Sequence, residues 1–194
     1  MSTKASDNRP PRPLNLCRHP SESWGLYRQR SPAEGPSFRW EDEIALTDHP
    51  IRLFASNAAV RRVGTGLIDR SLPRADWTHE GHLAACIWLL TERPDIDAPR
   101  QLPNIIRSYN VSAGGVNDET QGYHETLTQL YIAAVRHWLE TASTGSLVDR
   151  VNALLASPIG QRNWPLTLYS RERLFSVEAR LGLVMPDIGE WPEL

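Results

Sequence analysis

The chain has 194 residues, 40% hydrophobic and 23% charged, a globular composition long enough to bury one real core. Its net charge of −2 and isoelectric point of about 6.3 select neither nucleic acid nor an anionic membrane surface. No apolar run reaches the roughly 20 residues of a membrane span, no apolar stretch follows the first basic residues as in a secretory signal, and Cys17 and Cys86 alone make no disulfide framework.

These features point to a reducing cytoplasm. Residues 1–40 mix Pro10, Pro11, Pro13, Pro20, Pro32 and Pro36 with Ser, Arg and Asn and have no periodic apolar face. Such a stretch reads as a disordered extension, leaving 41–194 as the folded domain. The arginines of this extension suit an acidic partner, although a solvated tail is the simpler account of them.

In residues 50–70, Ile51, Leu53, Phe54, Val60, Val63, Leu67 and Ile68 recur at spacings of three and four. One or two helices are expected there despite Gly64 and Gly66. Asp76 or Thr78 then caps a helix over 78–91, which stops before Pro94. Its stretch 83–90 is apolar on nearly every face, which predicts a central position. A shorter helix over 99–110 places Leu102, Ile105, Ile106 and Tyr109 on one side. Asn117, Asp118 and Thr120 are candidate caps for a long helix over 120–142, ended by Gly145. A further amphipathic helix follows at 146–156. The stretch 157–168 is broken by Pro158, Gly160 and Pro165, and a last helix covers 170–181. No strand-like alternation competes. The expected fold is all-α, a single-domain bundle of five to six helices.

Chemistry concentrates at two helix starts, Trp77-Thr78-His79-Glu80-Gly81-His82-Leu83 and Gly122-Tyr123-His124-Glu125-Thr126. Short connections favour antiparallel neighbours, so two reversals leave the helices over 78–91 and 120–142 parallel. Their histidines then share one end of the bundle. His79 and His82, three apart, leave one face together, in line with Cys86 and Leu89. His124 begins a stripe through Leu127, Tyr131, Ala134 and Trp138. Three neutral imidazoles at one point suit a divalent metal, zinc or iron, with an open position. Helix N-termini disfavour imidazolium and keep such rings neutral.

Glu80 and Glu125 are candidates for general base or further ligand, and also complement the helix dipole. Tyr123 is a candidate for orienting a ligand or donating a proton, and equally for a packed aromatic with a bonded hydroxyl. Cys86, one turn below His82, reads as a soft ligand or a small buried hydrophobe. At the C-terminal end, Arg171, Arg173 and Arg180 suit a carboxylate or phosphate, while ion pairs with Glu172 and Glu178 on a solvated helix account for the same letters. The zinc-protease spacing, the Cys-x-x-Cys ribbon, the phosphate-binding glycine loop and the nucleophile elbow are all missing from the sequence.

The combination of Trp77-Thr78-His79-x-x-His82-Leu83, Arg107-x-Tyr109-Asn110, Gly122-Tyr123-His124-Glu125-Thr126 and Arg173-Leu174-Phe175-Ser176-x-Glu178-Ala179-Arg180 with Pro186-Asp187 resembles a family of small, uncharacterised bacterial helical proteins. The resemblance covers about 50–190. It implies that the histidines and their neighbours form a recurring pattern, and it implies no reaction. A three-histidine bundle site is also similar in idea to the DinB-like metal-binding bundles, although the histidine spacing differs.

The expectation is therefore a metal-binding helical protein acting on a small molecule by hydrolysis or oxidation. His79, His82 and His124 would be the metal ligands and Glu80, Glu125 and Tyr123 the catalytic groups. A non-catalytic module binding a small molecule or a partner is the alternative. Neither nucleic acid nor membrane is expected as a partner, and a homo-oligomer stays open.

Overall fold

The computed structural model describes residues 50–141 and 144–192, all of which fall within one compact unit, 35–194. The Pro-rich extension over 1–40 lies outside the described residues. Seven α-helices and no strand occur among them: α1 (Asn57–Asp69), α2 (His79–Glu92), α3 (Ala98–Ser112), α4 (Glu125–Thr141), α5 (Leu147–Ala156), α6 (Arg171–Leu174) and α7 (Val177–Leu181). The all-α class expected from the sequence is the class observed. No described helix is long and apolar enough to cross a membrane.

Helix α2 is the hub, packed by α1, α3, α4 and α5. Its residues Leu83 to Leu89 are all buried, as the run without a polar face requires. Gly64 explains how a glycine sits inside α1. A Cβ there would lie 2.0 Å from Cε3 of Trp88, so its hydrogen lets the Trp88 ring rest on the α1 backbone.

Helix α3 contains Pro103, which has no N–H to offer the carbonyl of Pro99 one turn back. The Gln129 side chain of α4 supplies the missing donor, with its Nε2 3.1 Å from Pro99 O. Helix α5 starts with a capping box between Ser146 and Asp149. Its Asn152 brackets the backbone of Phe54, accepting from N at 2.8 Å and donating to O at 2.9 Å, which pins the segment before α1.

Two expected elements differ from those observed. The long helix begins at Glu125 instead of 120. Asp118 turns on itself, accepting from the Thr120 and Gln121 amides, and Asn117 Oδ1 accepts from Tyr123 N, so the expected caps fold a loop. Gly122, at φ +79°, completes that turn where a Cβ would strike the Val116 carbonyl. The expected helix over 170–181 is cut in two. Ser170 caps α6 and Ser176 caps α7, each accepting from the amide three residues on. This break turns Arg180 inward, and only 2% of it is exposed. The solvated arginine face is therefore corrected at Arg180, which is buried, while Arg171 stays exposed over the Phe175 ring and the partly exposed Arg173 donates through Nε to Met185 O at 2.6 Å.

Candidate functional site

Thr78 caps α2, its Oγ1 accepting from Gly81 N at 3.3 Å. The next residue, His79, is thus the first helical position, and His82 leaves the same face one turn later. His79 Nε2–H donates to Gly160 O at 2.9 Å, and His82 Nδ1–H donates to its own Thr78 O at 2.6 Å. Carbonyls only accept, so these bonds fix both tautomers.

Aromatic rings surround the pair. His82 stacks on Trp77 with centroids 3.7 Å apart, and Trp77 meets Tyr109 edge-on at 5.3 Å. His79 meets Tyr131 at 5.9 Å, and Tyr131 packs against Trp164 at 5.4 Å.

Beside these rings a pocket lies between α2, α3 and α4. Trp77, His79, His82 and Cys86 form one side, and Leu102, Ile106, Leu127, Thr128 and Tyr131 close it. The space that water centres can occupy is about 30 Å³, room for about two waters. Burial lowers the proton affinity of both histidines, with Arg162 adding to the effect at His79 and His79 itself at His82. Burial pushes the Cys86 thiol up to about 12, so it is a packed thiol rather than a nucleophile.

His124 does not join them. It precedes the first helical residue of α4 and is that helix's cap: its carbonyl accepts from Thr128 N, and its Nδ1 accepts from Leu127 N at 3.3 Å. Nε2–H donates to Leu174 O at 2.9 Å. Both ring nitrogens are spent, so the expected three-histidine ligand set does not form around His124. A residue at the cap has left the helical periodicity, which is why the stripe drawn from His124 through Leu127 and Tyr131 loses its first member. Leu127 and Tyr131 do reach the pocket. Burial, then the nearby Arg180 charge, brings the His124 pKa down to about 4. Among the described residues no three His, Cys, Asp or Glu side chains stand together as a metal ligand set.

The expected catalytic groups lie outside the pocket lining. Glu80, 3% exposed, accepts from Thr78 Oγ1 at 2.8 Å and from Arg162 at 3.2 Å. Its carboxyl stays below the ordinary range: the Thr78 and Arg162 bonds outweigh burial, which is the largest single influence and acts the other way. It faces a separate, more polar cleft with Arg62, Asp76 and Thr78. Glu125 accepts from the Tyr123 hydroxyl at 2.9 Å and from Gln129 at 2.8 Å, and pairs with Arg107 at 3.4 Å. Arg107 also lies 4.0 Å over the Tyr123 ring. Burial, then the Glu125 charge, raises the Tyr123 phenol, whose proton is committed to Glu125.

Thr128, Trp164 and the Gly160 carbonyl are components that sequence reasoning missed. Thr128 was visible as a neighbour of the Leu127–Tyr131 stripe. The turn at 158–167 carries no periodic signal that assigns a partner to it. No protein-family model, curated protein or solved structure matches the chain.

Proposed function

We propose that this protein is a helical small-molecule-binding module whose ligand enters the pocket between α2, α3 and α4. The observation that carries this reading is the convergence of Trp77, His79, His82 and Tyr131 on one apolar recess open to solution. Concave, mainly apolar sites with a few placed polar groups are how proteins hold small molecules. On this reading the two motifs divide the work. The first builds the pocket, and the second fastens the C-terminal segment through His124 and Leu174. The cytoplasm suits it, since the buried Cys86 stays a thiol there.

A fragment titration followed by amide and indole NMR shifts tests this. Ligands should move Trp77, His82 and Thr128, and Ala85→Leu, which fills the recess from the α2 side, should abolish those shifts in a folded protein. Fragment shifts confined to other surfaces would overturn the reading. Elemental analysis of protein purified without a metal-binding tag separates the metal-dependent rival. Stoichiometric zinc or iron, lost in His79→Ala and His82→Ala but retained in His124→Ala, would replace a plain binding pocket with a metal centre.

A further inference from the structure

We infer that the pocket selects an uncharged, largely apolar ligand and rejects a carboxylate of the same length, an inference that rests on the pocket being a binding site. None of its lining residues is Lys, Arg, Asp or Glu. A carboxylate entering it would lose water without gaining a cation, which is costly in an apolar recess. The carboxylate that neighbours the pocket residues in sequence obeys the same rule. Glu80 lies between the two pocket histidines in sequence, yet it turns out of the pocket to Thr78 and Arg162. Its charge acts on both rings and the charge of Arg162 opposes it at His79, but Arg162 is already paired with Glu80, so an entering anion finds no unpaired cation there.

The histidines supply no compensating cation, because burial holds both neutral at pH 7. Cys86 stays protonated. Thr128 spends its hydroxyl proton on His124 O at 2.8 Å, so its oxygen is left only to accept. The matching ligand end is a donor without charge, such as a hydroxyl on a short apolar chain. The recess, a cavity of about 30 Å³, holds the end of such a chain rather than a large ring system.

The test is a pair of NMR titrations on the wild-type chain at pH 7, with 1-butanol and with butyrate, which share length and differ in charge. Butanol should give saturable shifts at Trp77, His82 and Thr128. Butyrate should bind the same residues at least tenfold more weakly. Ala85→Leu should remove the butanol shifts. Equal or tighter binding of butyrate at these residues would overturn the selection against charge while leaving the binding site standing. Failure of both compounds to move these residues would sink the site reading together with the inference.

Discussion

Helices α2 and α4 both open on His-Glu, and the structure uses the two pairs in opposite ways. At α2 a threonine is the cap, so His79 is already helical and its ring leaves toward α4 with His82. At α4 no threonine precedes the pair, and the histidine is itself the cap. Its ring folds back over the first turn and reaches the C-terminal segment at Leu174. A one-residue difference in where the helix starts sends one imidazole to a pocket and the other to a clasp. The glutamates follow suit. Glu80 faces Arg162 and the turn after α5, while Glu125 is tied to Tyr123, Arg107 and Gln129 beside α3. Each carboxylate also lies in a first helical turn, where the dipole favours it.

The comparison predicts that the α4 cap matters more to stability than the α2 cap. His124→Ala removes the acceptor for Leu127 N and the donor for Leu174 O, both buried. The cap costs about 1 kcal/mol and the stranded carbonyl about 1–3 kcal/mol, so a total of about 3 kcal/mol is expected in urea unfolding. His124→Asn should recover about 1 kcal/mol, because asparagine caps well but does not reach Leu174. A loss below 1 kcal/mol for His124→Ala would mean that the clasp does not depend on this ring.

The same site makes stability depend on pH. His124 titrates near 6.5 when unfolded and at about 4 in the fold, so the unfolded chain binds the extra proton between those values. Its contribution is fully present above pH 6.5 and is lost as the pH falls toward 4. The shift corresponds to an upper bound of about 3 kcal/mol. His79 and His82 are lowered too and add slope of the same sign. The His124 share is therefore read as the difference between the wild-type curve and that of His124→Asn. The two curves should converge on acidification, and parallel curves would contradict the assignment.

Much of this was legible in the letters. The apolar circumference of 83–90 marked α2 as the hub, and the spacing of His79, His82 and Cys86 marked the side that lines the pocket. Leu127 and Tyr131 were correctly placed on the facing stripe. The start of α4 was not legible, because Asn117, Asp118 and Thr120 are all good caps by type and only the fold decides which amides they meet. Asn117 and Asp118 are drawn into the loop closed by Gly122, and the cap falls to a histidine. Nor does sequence spacing reveal bonds that span the chain, such as His79 to Gly160 or His124 to Leu174. The break at Phe175 was obscured because Ser176 sits within a run that reads as one helix, so Arg180 appeared to face water.

Thr78→Ala is the smallest and sharpest counter-test. Thr78 Oγ1 accepts from Gly81 N and donates to Glu80, while the Thr78 carbonyl that holds His82 belongs to the backbone and survives the change. The expected loss at pH 7 is that of an ordinary cap together with the bond to Glu80, about 2 kcal/mol in all, and Thr78→Ser should restore most of it. A hydroxyl does not titrate here, so the penalty should stay flat from pH 7 to 5, the range over which His124→Asn approaches the wild type. Below that range the lost bond to Glu80 adds a second effect. Its carboxyl pKa rises toward the ordinary value, so less stability is lost on further acidification than in the wild type. A Thr78→Ala penalty that fell steadily between pH 7 and 5 would show that the α2 cap is coupled to its histidines. The division between a pH-silent threonine start and a pH-sensitive histidine start would then not hold.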